Sequence, residues 1–198
     1  MDHDKDAVTD HAILELLQHR WSPRSFAPTP IDRETLLRLF EAARWAPSSF
    51  NEQPWRFIVA SKEDAAEFDR LLQCLSEGNR RWASAATVLV LSVAKLYFER
   101  TRKPNRHAMH DVGLATATLV IQATALGVSV HQMAGFDVEA ARRTYSIPDG
   151  FEPATAWALG YPGSPDLLDE TQRTRELAPR SRLPISSWLF KGQWGEPF

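Results

Sequence analysis

The sequence predicts one α+β domain, and three observations support that fold class. The chain has 198 residues, which lies within the ~100–200 residues of an ordinary domain. About four strand-like segments are interspersed with helical ones without regular alternation. Neither an internal repeat nor a composition typical of a linker divides the chain. We therefore expect one domain over 1–198, with 1–10 flexible and 176–198 forming an extended arm.

The elements of the first half follow from apolar spacing and from breakers. Residues 11–19 have the spacing of a short amphipathic helix. A second helix is expected to begin after Asp32, a suitable N-cap, and to end at Pro47. A strand over 56–60 and a helix over 62–75 follow.

The second half contains the most apolar segments. Residues 87–94 predict a strand buried on both faces. A basic loop over 95–105, a candidate lid, leads to a helix over 111–126 that is apolar nearly all round. Such a helix is buried either inside its own domain or partly against a second copy, and the sequence leaves both open. The remaining expected elements are a strand over 128–133, a helix over 137–145 capped by Asp137, and a strand over 154–159.

Charge and cysteine content exclude several classes. The chain has 23 Lys plus Arg against 25 Asp plus Glu and a net charge of −2, so we expect neither nucleic acid nor membrane as partner. One Cys excludes an internal disulfide framework and a multi-Cys zinc site. The longest mostly apolar run is far shorter than the ~20 residues that span a bilayer. The first ten residues lack the apolar stretch of a secretory signal, and we expect a cytoplasmic location.

Two extended segments carry alternating arginines. In an extended chain, residues two apart project the same way, so Arg20, Ser22 and Arg24 should point together. Arg180 and Arg182 repeat the pattern near the other end of the chain. Guanidinium groups match phosphate oxygens and stay charged. The alternatives are a phosphate site built from both segments and ordinary solvated surface charge.

Two loops could contact a ligand. The segment 47–55 is rich in hydroxyl and amide groups, which serve either turn structure or recognition of a heterocycle. In the segment 132–137, Gly135 permits close approach of the main chain. Metal and hydrolytic sites have weak support: His107 and His110 are the candidates for a hydrolase or a metal site, and His131 is either a general acid or a structural residue.

In order, these motifs resemble the FMN-dependent nitroreductase family. The resemblance extends from about residue 14 to 185, and its most specific part is the Pro-Ser-Ser-x-Asn-x-Gln-Pro-Trp loop. The matching elements are Arg20-x-Ser22-x-Arg24, 47–55, Gly135-Phe136-Asp137, Leu159-Gly160-Tyr161-Pro162 and Arg180-x-Arg182.

The resemblance implies a mixed sheet surrounded by helices in an obligate homodimer with exchange of C-terminal arms. It implies that Arg20, Ser22 and Arg182 hold the FMN phosphate, that Arg24 reaches the N1/O2 side of the flavin, and that Ala134 and Gly135 face N5 and O4. The full implied set of cofactor-binding residues is Arg20, Ser22, Arg24, Ser48, Ser49, Asn51, Gln132, Met133, Ala134, Gly135, Arg180 and Arg182.

The implied reaction is ping-pong. NADH or NADPH reduces FMN, and a nitroaromatic, quinone or related acceptor is then reduced, without a catalytic side chain because the cofactor carries the chemistry. The acceptor pocket is expected to include Phe50, Tyr97, Phe98 and Phe136. The alternatives are other flavin chemistry, such as flavin fragmentation or dehalogenation, and a flavin-binding protein without turnover.

Overall fold

A four-stranded antiparallel sheet forms the centre of the computed structural model, which describes residues 5–198. The strand order is β1-β2-β4-β3. Each neighbouring pair is antiparallel. The strands are β1 (Trp55–Ser61), β2 (Val88–Lys95), β3 (Ser129–Met133) and β4 (Phe151–Gly160).

The expectation of a mixed sheet is therefore wrong. Strands β2 and β3 both run antiparallel to β4, so they share one direction, but β4 lies between them. Two strands of the same direction thus never become neighbours, and no parallel ladder forms among the described residues.

Seven helices surround the sheet in the described part of the chain. Side-chain caps define where several begin: the carboxylates of Asp32 and Asp137 accept the N–H groups of Thr35 and Ala140, both at 2.8 Å. This confirms the two caps predicted from the sequence. The helices are α1 (Glu15–His19), α2 (Arg33–Arg44), α3 (Ala65–Cys74), α4 (Glu77–Ala83), α5 (Ala108–Ala125), α6 (Val138–Thr144) and α7 (Glu170–Leu177).

Apolar layers cover both faces of the sheet. Val88 and Val90 of β2 pack into a cluster with α2 and α5, whereas Leu89 and Leu91 pack into a second cluster with α3 and α6. Because side chains alternate along a strand, β2 is buried on both faces, as its apolar sequence predicts.

One side of α5 is not covered by its own chain. Ala117 and Ala125 are exposed, and Ile121 is only half-buried. With Leu16 and Ala42 they line a shallow apolar depression. Helix α5 is therefore a core helix on one side and exposed on the other, and the two alternatives for this apolar helix stay open.

The N-terminal segment contacts the chain just after α7. The Lys5 ammonium donates to the carbonyl of Ala178 at 2.7 Å. The arm expected over 176–198 begins with the last two residues of α7, and most of it is exposed. Residues 1–10 were expected to be flexible. Residues 1–4 of this segment lie outside the described residues. Within residues 5–10, Lys5 is buried.

Candidate functional site

Basic side chains from both ends of the chain line one cavity of about 230 Å³. The alternating residues Arg20, Ser22 and Arg24 lie on one side of it. Arg180 and Arg182 approach from the C-terminal segment. Lys5 and Arg175 also line the cavity, and neither was expected from the sequence.

The cations in this cavity are partly removed from water and close to one another. Burial lowers the pKa of Arg20, and the charges of Arg180 and Arg182 lower it further. Burial and Arg182 lower the pKa of Arg180 in the same way. Burial also lowers the pKa of Lys5, with the charge of Glu176 acting in the opposite direction. A bound anion would offset both the desolvation and the repulsion, so the cavity suits a phosphate group.

Arg180 also ties the N-terminal segment to the rest of the cavity. Its Nη1 donates to the carbonyl of Gln18 at 2.7 Å and to the carbonyl of Lys5. Nearby, Arg20 Nη1 donates to the hydroxyl of Ser22 at 3.3 Å. Arg180 therefore has a structural function in addition to its charge.

His131 fixes the middle of the segment that carries the alternating arginines. Its Nδ1 lies 2.9 Å from the carbonyl oxygen of Pro23, and because a carbonyl only accepts, Nδ1 carries the proton. The ring centroid lies 4.4 Å from that of Trp82. Burial lowers the pKa of His131 to about 4, so the ring is neutral at pH 7. Of the two expectations for this histidine, the contact favours the structural one.

The Pro47–Trp55 loop adopts a strained conformation and is hydrogen-bonded to helix α5. Phe50, Asn51 and Gln53 have φ angles between 49° and 56°, a region that costs free energy for residues other than glycine. The N–H of Ser49 donates to the buried carboxylate of Asp111 at 3.0 Å, and the Ser48 hydroxyl accepts the N–H of Gln53. Ser48 and Ser49 line a different cavity from the arginines.

The junction after β3 is held through a main-chain carbonyl. Asn79 Nδ2 and the N–H of Ser76 donate to the Gly135 carbonyl at 2.9 and 3.0 Å. A Cβ at Gly135 would lie 2.6 Å from Asn79 Nδ2, so this close approach requires glycine. Of the neighbouring expected site residues, Met133 is buried, whereas Gln132 and Ala134 are exposed.

Two of the four expected pocket aromatics are in contact. The rings of Phe50 and Phe98 meet edge to face with centroids 5.8 Å apart, and Phe50 is 88% exposed. Tyr97 belongs to the loop between β2 and α5, and its ring lies beside Gly150. Phe136 packs into the core cluster on the α3 side of the sheet.

Comparison with known proteins decides the family. A sequence model of the nitroreductase family matches residues 17–161. The chain belongs to the nitroreductase family. A Mycolicibacterium smegmatis protein, "Uncharacterized 15.4 kDa protein in ask 5'region", is 39% identical over 72% of this chain and 99% of that protein. A Streptomyces coelicolor protein named "Putative NADH dehydrogenase/NAD(P)H nitroreductase SCO7141" is 32% identical over 75% of this chain and 82% of that protein.

Solved structures agree with this family assignment. A crystal structure described as "the oxidoreductase containing FMN" is 32% identical to this nitroreductase family member, with a TM-score of 0.91 over 99% of this chain and 100% of that one. A nitroreductase family protein of Streptococcus pneumoniae is 21% identical, with a TM-score of 0.73 over 89% of this chain and 98% of that one. The second likeness shows the fold alone.

The hydrolase and metal-site alternatives, which involve His107 and His110, have little support in this family member. His110 Nδ1 lies 3.1 Å from Asp111 Oδ1, but the other oxygen of Asp111 already holds Ser49. Across residues 5–198, no group of three His, Cys, Asp or Glu side chains could hold a metal ion. Over the same residues, no helix is long and apolar enough to cross a membrane.

Sequence reasoning missed four residues that shape these sites. Lys5 and Glu176 reach the basic cavity from distant parts of the chain, and nothing in their local sequence indicates it. Asp111 was detectable as the one acidic residue within the apolar helical run 111–126. Asn79 is the one amide side chain among residues 78–86, but its contact with Gly135 depends on the fold.

Proposed function

We propose that this chain is an FMN-dependent oxidoreductase that takes electrons from NADH or NADPH and passes them to a nitroaromatic, quinone or related small acceptor. The observation that carries the proposal is the partly buried basic cavity shared by Arg20, Ser22, Arg24, Arg180 and Arg182. The name of the Streptomyces coelicolor relative and the FMN of the similar crystal structure support the same activity.

The residues of the cavity fit the phosphate of FMN. Arg20 and Arg182 would hold phosphate oxygens with two guanidinium groups, and Ser22 would add a hydroxyl donor. Arg180 would contribute positive charge while its Nη1 holds main-chain carbonyls. Arg24, two residues beyond Ser22, would hold the N1/O2 side of the ring.

The Ala134–Gly135 main chain is the proposed contact for the other side of the ring. Asn79 and Ser76 fix the Gly135 carbonyl, which also fixes the orientation of the adjoining peptide groups. A side chain at Gly135 would meet Asn79 and Ser76, so the glycine permits the contacts that fix this main chain. When bound, FMN supplies the hydride-transfer chemistry, and this chain binds and orients it without a catalytic side chain.

We also propose an obligate homodimer with exchanged C-terminal arms. The accessible surface of the chain is 12047 Å², whereas a folded monomer of 22.4 kDa should expose roughly 9,400 Å². The apolar side of α5 contributes to this excess. So do Trp188, Trp194 and Phe198 of the arm, which are 59%, 91% and 82% exposed.

A second copy would also complete the site. Ser48, Ser49 and Asn51 belong to a loop separate from the basic cavity of their own chain, and in the proposed dimer they serve the flavin of the partner. Phe50 and Phe98 would then wall the acceptor pocket, with Tyr97 and Phe136 as further candidates.

The test is the behaviour of the purified protein. We expect a yellow protein whose visible flavin absorbance bleaches without oxygen on addition of NADH or NADPH and returns on addition of a quinone or nitroaromatic. Bound flavin that neither cofactor bleaches would indicate flavin binding without this reaction. A colourless protein that takes up no added FMN would contradict the whole proposal.

A further inference from the structure

A buried carboxylate sits among the cations of the proposed phosphate cavity. Glu176 lies in the last turn of α7 and is 2% exposed. It is the one acidic side chain among the described residues that line this cavity. A negative charge next to an anion site opposes binding of the anion, so its presence there needs a physical reason.

The carboxylate holds main-chain groups of the segment that carries the arginines. Both of its oxygens accept the N–H of Arg24, at 3.1 and 2.9 Å, and Oε1 also accepts the N–H of Ser25 at 3.2 Å. Hydrogen bonds to an ionised acceptor are stronger than neutral ones. Glu176 therefore fixes two consecutive peptide N–H groups, those of Arg24 and Ser25, by charge-assisted hydrogen bonds.

This segment depends on hydrogen bonds from side chains to its main chain, because it has no regular secondary structure. Residues 20–25 lie in neither a helix nor a strand, and at their C-terminal end the Ser25 carbonyl accepts the N–H of Gly163 at 3.0 Å. His131 holds the carbonyl of Pro23, and the Ser25 hydroxyl donates to the carbonyl of Ser164 at 2.6 Å. Among these three side chains, Glu176 is the one that accepts the N–H of Arg24.

We propose that Glu176 is a positioning residue of the phosphate site. It fixes the main chain at Arg24 and Ser25, and thereby aims Arg20, Ser22 and Arg24 into one cavity. The inference rests on the proposed FMN function, because it assumes that the anion in the cavity is the FMN phosphate.

Glu176→Gln separates positioning from electrostatics. Removing a negative charge from a basic cavity should, by Coulomb's law alone, tighten anion binding. A glutamine, however, has one acceptor oxygen, and its NH₂ group would face main-chain N–H donors. Loss of positioning therefore predicts weaker phosphate binding, whereas loss of the negative charge alone predicts tighter binding.

The experiment compares the dissociation constants of FMN and riboflavin for the wild-type protein and for Glu176→Gln. Riboflavin lacks the phosphate, so the ratio of the two constants isolates the phosphate contribution. Glu170→Gln, an exposed position at the other end of α7, is the matched control. We expect Glu176→Gln to lose about tenfold or more of the FMN preference, by analogy with the effect that residues behind metal ligands have on metal affinity. Riboflavin keeps the proposed Arg24 contact with the ring and should lose less affinity than FMN, and the Glu170→Gln ratio should stay as in the wild type.

Each other outcome decides against the inference. An unchanged or increased preference for FMN in Glu176→Gln overturns the inference and leaves the proposed function intact. An equal loss of affinity for FMN and for riboflavin has the same consequence. A wild-type protein that binds FMN no better than riboflavin overturns the phosphate site itself. If Glu176→Gln does not fold, Glu176→Asp, which displaces the carboxylate by one methylene, takes its place, and a wild-type ratio in that variant overturns the inference.

Discussion

Acid should destabilise this fold through His131, by an amount that follows from its position. Its ring is neutral, donates to the Pro23 carbonyl and has a pKa lowered by burial to about 4. In an unfolded chain the pKa of histidine is about 6.5. Between these values the unfolded chain binds a proton that the folded chain does not, so the free energy of unfolding falls as the pH falls.

The expected loss between pH 8 and pH 5 is about 2 kcal/mol. His131→Asn is the comparison variant, because its amide nitrogen branches from the same carbon position as Nδ1 and does not titrate. The variant loses the ring contact with Trp82, but this cost is the same at both pH values and cancels in the comparison.

The assay is urea unfolding of both proteins at pH 8 and pH 5, at one fixed protein concentration. Other titrating groups contribute equally to both proteins, so the difference between the two losses isolates His131. We expect the wild type to lose about 2 kcal/mol more than the variant. Equal losses would refute the reasoning, because they would mean that His131 protonates as easily in the folded chain as in the unfolded one.

Two further predictions test the site and the packing around it. Arg20→Ala with Arg182→Ala should weaken FMN binding by about 10²–10⁴-fold, since each removes a charge-assisted contact worth about 1.5–3 kcal/mol; titration measures this against exposed Arg38→Ala, and unchanged affinity would disprove the phosphate assignment. Gly163→Ala places a Cβ 2.6 Å from a main-chain carbonyl carbon and should cost about 1–3 kcal/mol in thermal unfolding. Gly78→Ala, with nothing within 4 Å, should not destabilise, and equal stability of the two variants would contradict the packing argument.

The parts of the fold that local sequence controls were predictable. The two-sided burial of β2 follows from an unbroken apolar run, and the caps Asp32 and Asp137 follow from side chains that compete for main-chain N–H groups. Helix α4 was not predicted, because Gly78 and Asn79 interrupt a short polar segment and its stability comes from packing. The arrangement of the strands was also not predictable, since the placement of β4 between β2 and β3 depends on contacts distant in sequence.

The same division applies to the site. Alternation places Arg20, Ser22 and Arg24 on one side of an extended chain, and that local rule needs no tertiary structure. Glu176 contacts the same segment across 152 positions of sequence, and no spacing rule reaches so far. Local patterns therefore predicted the alternating arginines and Ser22 that line the cavity, whereas Lys5, Arg175 and Glu176 became visible only in the fold.

The proposed phosphate site would link anion binding to the contacts between the N-terminal segment from Lys5 and the C-terminal part of the chain. Arg180 holds the carbonyls of Lys5 and Gln18, and Lys5 in turn holds the carbonyl of Ala178. The cations brought together by these contacts repel one another and lose water, which opposes the packed arrangement when no anion is bound. A ligand that binds only the packed state stabilises it by mass action. The phosphate of FMN would therefore act as a structural element for the two ends, whereas the sheet, whose core is apolar, does not depend on it.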